Sequence, residues 1–207
     1  MKQMLLILAV MVMGCGTTNV DSNVPANIAD PIVEEAIRNW LDQPEGDLTS
    51  TDVARVTSLN FLNTKITDEG LKEVAKLRQL TSLNLTETKI TDAGLKELVK
   101  LEELVDLSLN GTQITDAGLK GIAKLHNLYG LYLVRTQITD KGLKELVKMQ
   151  DLKNLNLSYT QITDEGLGEE LFKMKNLEDL FLYSSKVTKK GVNELKKALP
   201  NCTIHHF

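Results

Sequence analysis

The sequence predicts an α/β solenoid, a right-handed β-α superhelix with a concave parallel sheet, convex helices and an N-terminal helical cap. Three observations predict it. Leu59, Leu83, Leu107, Leu131, Leu155 and Leu180 open matching segments at spacings of 24, 24, 24, 24 and 25 residues. Within each segment a Leu-x-Leu alternation gives way to apolar residues at helical spacing. Ahead of the first segment, Asp30-Pro31 opens a separate helical pattern.

Taken in order, the chain begins with a targeting segment. Lys2 precedes an apolar run over residues 4–13, too short to span a membrane, which takes about 20 residues, but suited to a secretory signal. Residues 1–14 are therefore expected to be a signal peptide. Val12-Met13-Gly14-Cys15 resembles the lipobox of bacterial lipoproteins, with Met13 where a smaller residue is usual. That resemblance implies a diacylated Cys15 at the mature N-terminus, and two acyl chains hold a membrane stably. Gly16 in place of Asp implies the outer rather than the inner membrane. Residues 15–29 are expected to be the lipidated cysteine and a flexible tether rich in Thr, Asn and Ser, spanning roughly 20 Å.

Residues 30–58 are predicted to cap the array. Asp30 is placed to cap a helix and Pro31 to occupy its first position. Ile32, Ala36, Ile37, Trp40 and Leu41 recur at helical spacing, with Glu34, Glu35, Arg38 and Asn39 on the other face. Pro44-Glu45-Gly46 is expected to stop this helix, and residues 48–57 to add a short one capped by Thr49 or Ser50. Trp40, the single tryptophan, is expected to cover the open end of the first repeat, which must be shielded from water.

Residues 59–207 read as about six repeats and a closing strand. In residues 83–106, Leu83 and Leu85 alternate with Ser82, Asn84 and Thr86, a short strand with one buried face. Gly94, Leu95, Leu98, Val99 and Leu101 follow at helical spacing, while Lys96, Glu97 and Lys100 face outward. One unit cannot bury its own apolar face, so neighbours stack and share a core. The Leu-rich period resembles leucine-rich repeats. The Ile-Thr-Asp-x-Gly-Leu signature is similar to their cysteine-containing, ribonuclease-inhibitor-like subtype, with Thr where that subtype often has Cys. The shorter, Thr-bearing copies look like those of bacterial leucine-rich-repeat proteins. The resemblance implies a fold and says little of function.

Three polar columns are read as structural. Thr64, Thr88, Thr112, Thr136, Thr160 and Ser185 are expected to bond the neighbouring turn's backbone. Asp68, Asp92, Asp116, Asp140 and Asp164 are expected at helix starts, where free amides favour carboxylates. Gly70, Gly94, Gly118, Gly142, Gly166 and Gly191 are expected where turns pack closely. Lys189 replaces the aspartate in the last copy, and Cys202 is expected in the core. His205 and His206 point to opposite faces of the closing strand and make poor metal partners.

No hydrolase, zinc-helix, phosphate-loop or paired-cysteine motif occurs, and acidic groups are spread by the repeat rather than gathered. Enzyme activity, cofactors and metals are not expected. With 24 Lys and Arg against 28 Asp and Glu, the chain lacks the basic footprint of a general nucleic-acid binder. The outward strand positions remain. Their first column is Ser58, Ser82, Asp106, Gly130, Asn154 and Asp179. The second is Asn60, Asn84, Ser108, Tyr132, Asn156 and Phe181, and the third Leu62, Thr86, Asn110, Val134, Ser158 and Tyr183. Tyr132, Val134, Phe181 and Tyr183 should share one face with Arg135 and Tyr159 at its rim and Asp106, Asn110 and Asn156 beside them. Tyr, Phe and Arg are the residues of binding hot spots, and aromatics make only 4% of this chain. The expectation is a monomeric, non-catalytic scaffold anchored to the bacterial cell envelope, holding a protein or peptide. The cysteine-containing subtype that the repeats resemble is also known from F-box substrate receptors, and that resemblance implies the alternative, an effector that recognises host proteins.

Overall fold

The computed structural model describes residues 24–206. The signal peptide, Cys15 and residues 16–23 of the expected tether lie outside them. Residues 24–28 belong to the cap rather than to a tether. Pro25 bridges antiparallel to Thr49, Ala26 N donates to Leu48 O at 2.7 Å, and Ser50 N donates to Val24 O at 2.8 Å. Ala26 and Ile28 pack on the core. Composition alone misplaces this stretch, because its bonding partners stand far along the chain.

Helix α1 (Pro31–Leu41) starts as predicted, the Asp30 carboxylate accepting from the backbone of Ile32 and Val33 at 2.9 and 3.1 Å. It ends before Pro44 is reached. Asp42 takes a left-handed conformation and returns its N–H to Arg38 O. Val33 and Ile37, four residues apart, form the buried stripe, whereas Trp40 is 39% exposed. The first repeat is therefore closed by Val33 and Ile37, with Leu48 and Val56, and not by Trp40. Helix α2 (Ser50–Ala54) carries a capping box, Thr49 Oγ1 accepting from Asp52 N at 3.2 Å and Asp52 Oδ2 from Thr49 N at 3.0 Å.

Seven three-residue strands follow: β1 (Ser58–Asn60), β2 (Ser82–Asn84), β3 (Asp106–Ser108), β4 (Gly130–Tyr132), β5 (Asn154–Asn156), β6 (Asp179–Phe181) and β7 (Thr203–His205). They make one parallel sheet in chain order, with Leu59, Leu83, Leu107, Leu131, Leu155, Leu180 and Ile204 in register. The crossovers carry α3 (Asp68–Val74), α4 (Asp92–Leu98), α5 (Asp116–Ile122), α6 (Asp140–Leu146), α7 (Asp164–Glu169) and α8 (Lys189–Ala198). The one 25-residue spacing is absorbed by a 3-10 turn at Leu171–Lys173. A single apolar cluster runs from Val33 to Ile204, so the turns share one core.

The threonine and aspartate columns both make bonds that the sequence alone does not assign, and of the two only the aspartates tie one turn to the next. The threonine hydroxyls bond within their own turn, Thr88 to Leu85 O at 2.7 Å and Thr112, Thr136 and Thr160 to Leu109, Leu133 and Leu157 O at 2.6 Å. The expected bond to the neighbouring turn is not made, because the carbonyl three residues back lies closer. Bonding between turns falls to the aspartates. Asp92 Oδ2 accepts from Thr115 Oγ1 at 2.6 Å and Oδ1 from Thr115 N at 2.9 Å. The same pair of bonds joins Asp68 to Thr91, Asp116 to Thr139, Asp140 to Thr163 and Asp164 to Thr188. Each aspartate opens its helix, as expected, but its oxygens serve the following turn. The glycines make room for this, since a Cβ at Gly94, Gly118, Gly142, Gly166 or Gly191 would overlap the preceding turn's aspartate. A Cβ at Gly70 would come within 2.8 Å of Asp30, so the cap docks through the same contact.

Candidate binding face

The outward columns lie on the concave side in the register the leucines dictate. An asparagine in the second column closes the exit turn of its strand. Asn60, Asn84 and Asn156 each accept, through Oδ1, the N–H two residues on at 3.0 Å. Tyr132 and Phe181 replace that asparagine, and the preceding turn supplies the missing acceptor. Asn110 Oδ1 takes the N–H of Val134 at 2.8 Å, and Ser158 Oγ takes that of Tyr183 at 3.2 Å. The two aromatics thus occupy a column that β1, β2 and β5 fill with a structural amide. Asn110 and Asn156, expected beside the binding residues, have their oxygens committed to these turns.

Tyr132 is half-buried, its ring lying over Gly130, where Tyr132 Cε2 and OH both stand 3.3 Å from the position of a would-be Cβ. The Asp106 carboxylate enters the same notch. Burial first, then Asp106 and Tyr129, holds the Tyr132 phenol above its ordinary value. Phe181 stacks on His205 at 4.2 Å between centroids and lies 6.4 Å from Tyr183. His205 Nε2 is 2.9 Å from Asp179 Oδ1. At the strand-exit rim the Arg135 guanidinium stands 5.1 Å from the centroid of the Tyr159 ring, which is 49% exposed. Val134 is half-buried among them. Tyr132, Val134, Phe181, Tyr183, Arg135 and Tyr159 therefore fall where the columns place them.

Sequence reasoning misses four neighbours. At the strand-entry rim Tyr129 OH lies 3.3 Å from Glu178 Oε2, and Lys153 pairs with Glu178 at 2.5 Å while standing 5.6 Å from the Tyr129 ring centroid. These three share one repeat position, just before each strand, and aligning the copies on that position would reveal them. The fourth is His205, which reads in sequence only as a poor metal ligand, although the register sets it beside Phe181. All four tyrosines of the chain consequently line the turns of β4 to β6.

Among the described residues no cluster of three or more His, Cys, Asp or Glu is placed to hold a metal ion. Cys202 is buried, and burial, with Asp179 adding to it, pushes its thiol up to about 11. It is a neutral core thiol rather than a nucleophile.

The pattern of the Leucine Rich repeat family matches residues 76–99, 103–123 and 148–169. No curated protein matches the chain in sequence. Among solved structures, an internalin (inlF) from Listeria monocytogenes superposes with a TM-score of 0.63 at 23% identity, covering 89% of this chain and 58% of that one. Internalin C2 (inlC2) from the same species gives 0.60 at 22% identity, covering 89% and 98%. A leucine-rich-repeat protein from Leptospira interrogans gives 0.57 at 28% identity, covering 74% and 38%. The chain thus spans little more than half of the first internalin. The repeats and the architecture together define an α/β leucine-rich-repeat solenoid fold. Such repeats are in general non-enzymatic, protein-binding scaffolds.

Proposed function

We propose that this chain is a non-catalytic scaffold that holds a protein or peptide on the C-terminal half of its concave face. The observation that carries this reading is the gathering of Tyr132, Phe181, Tyr183, Tyr159 and Tyr129 on three adjacent turns of a sheet otherwise lined mostly by Ser, Thr and Asn. Turn closure does not call for them, since β1, β2 and β5 close with asparagine. Seven strands at about 4.8 Å give a sheet near 30 Å wide, enough for an extended peptide or the edge of a domain. Replacing Tyr132, Phe181 and Tyr183 by Ser should abolish partner capture in envelope crosslinking while circular dichroism and Tm stay near wild type. Undiminished capture would remove the patch from consideration.

The place of action is proposed from sequence. A lipidated Cys15 holds the domain at the bacterial cell envelope, at the outer membrane in view of Gly16, with the solenoid facing the periplasm or the surface. A fatty-acid analogue should label the wild-type chain and not Cys15→Ala, and membrane fractionation should follow the label. Label in both forms, or in neither, would rule the anchor out.

A further inference from the structure

We propose that the notch above Gly130 is a subsite for a cationic side chain, arginine or lysine, of the bound protein or peptide. The inference rests on the concave-face reading and names one contact within it. Gly130 is the only glycine in its column, where the other strands carry Ser58, Ser82, Asp106, Asn154, Asp179 and Thr203. Glycine weakens a strand and marks places where another group comes close to the backbone. Here the Asp106 carboxylate occupies the space of the missing Cβ, and the Tyr132 ring edge and hydroxyl lie 3.3 Å from the same point. Carboxylate and phenol therefore converge on one spot.

The surrounding charges show what that spot lacks. Asp179 is bonded to His205, and Glu178 is paired with Lys153. The carboxylate of half-buried Asp106 has no hydrogen bond or ion pair among the described residues. Two neighbouring tyrosines each have a cation against the ring, Arg135 at Tyr159 and Lys153 at Tyr129. Tyr132 has a carboxylate beside it and, among the described residues, no cation over its ring. A guanidinium or ammonium supplies the donors that Asp106 lacks. Its flat face or methylene stem lies against the Tyr132 ring, as cations do on aromatic faces. A sugar would use the ring but has no need of a lone carboxylate.

The purified full chain is panned against displayed random peptides, and the enriched sequences are synthesised. They should share an Arg or Lys at one position. Exchanging that residue for citrulline or norleucine should weaken binding about tenfold, the scale expected when one charge-assisted bond is removed from an interface. Asp106→Asn should erase the difference, binding the charged and neutral peptides alike. Gly130→Ala suits a strand but evicts the carboxylate, and should do the same, with circular dichroism confirming that both variants are folded. Enriched peptides without a shared cation, or a preference that survives Asp106→Asn, would overturn the subsite and leave the concave-face reading intact. Enrichment of no peptide would overturn both, as would binding of neutral oligosaccharides abolished by Tyr132→Ala and untouched by Asp106→Asn.

Discussion

An aspartate that reaches into the next turn needs a residue there that gives way to it. Asp116 and Gly142 form such a pair, because the Asp116 carboxylate bonds Thr139 and fills the space a Cβ at 142 would occupy. Asp116→Ala leaves the Thr139 amide and hydroxyl without their acceptor and should cost about 1–3 kcal/mol in urea unfolding. Gly142→Ala should also destabilise, since it displaces the same carboxylate. The double variant should therefore lose less than the sum of the two, whereas strict additivity would mean the residues act separately. Both columns are visible in the sequence, but their partnership is not. The bonding partner stands 23 residues away and meets the aspartate only once the turns have stacked. Cys202 is legible, because a cysteine at an apolar repeat position falls in the core. With its thiol pushed up to about 11, iodoacetamide should modify it only as fast as the native fold opens.

At the scale of elements, the strand-exit turns set local strain against display. Asn63, Glu87, Arg135, Tyr159 and Ser184 all hold φ between 50° and 57°, and Gly111 holds it at 66°. The turn requires it. The N–H groups of Asn63, Glu87, Gly111, Arg135 and Tyr159 extend the sheet's ladder one bond beyond the strand, Tyr159 N reaching Tyr183 O at 2.7 Å. A left-handed backbone costs most residues about 1–2 kcal/mol and asparagine less. An exposed cation–π contact returns only about 0.5–1 kcal/mol. Tyr159→Asn should thus leave stability unchanged or raise it by up to about 1 kcal/mol, while weakening capture of the partner. A clear fall in Tm would show that Tyr159 is held for packing. Strands and helices are readable because each carries its own period, and the concave columns follow from the leucine register. The burial of Val33 over Trp40 and the pinning of residues 24–28 are not readable. Both are decided by surfaces that exist only after the cap has docked.

At the scale of the whole molecule, each turn is stabilised by its neighbours, so the ends are weakest where one neighbour is missing. Strand β7 pairs only with β6, and the last link of the aspartate series is Asp164 to Thr188, at the start of α8. The Thr188 hydroxyl bond, with help from backbone amides and Lys190, holds the Asp164 carboxyl below its ordinary value of 3.8. A carboxyl lowered in the folded state binds protons less readily there than in the unfolded chain. Its contribution is therefore complete above 3.8 and is lost as pH falls through the lowered folded value. Acid should accordingly loosen α8 and β7 before the central turns, whose helices have neighbours on both sides. Hydrogen exchange between about pH 5 and about pH 2.5 should show protection at Val192 and Leu195 falling ahead of that at Leu119 and Leu143. In Asp164→Asn the α8 amides should be less protected near neutrality and should lose this acid dependence. If the terminal helix instead opened together with the central ones, or kept its acid response without Asp164, the carboxylate link would not be what secures the end of the stack.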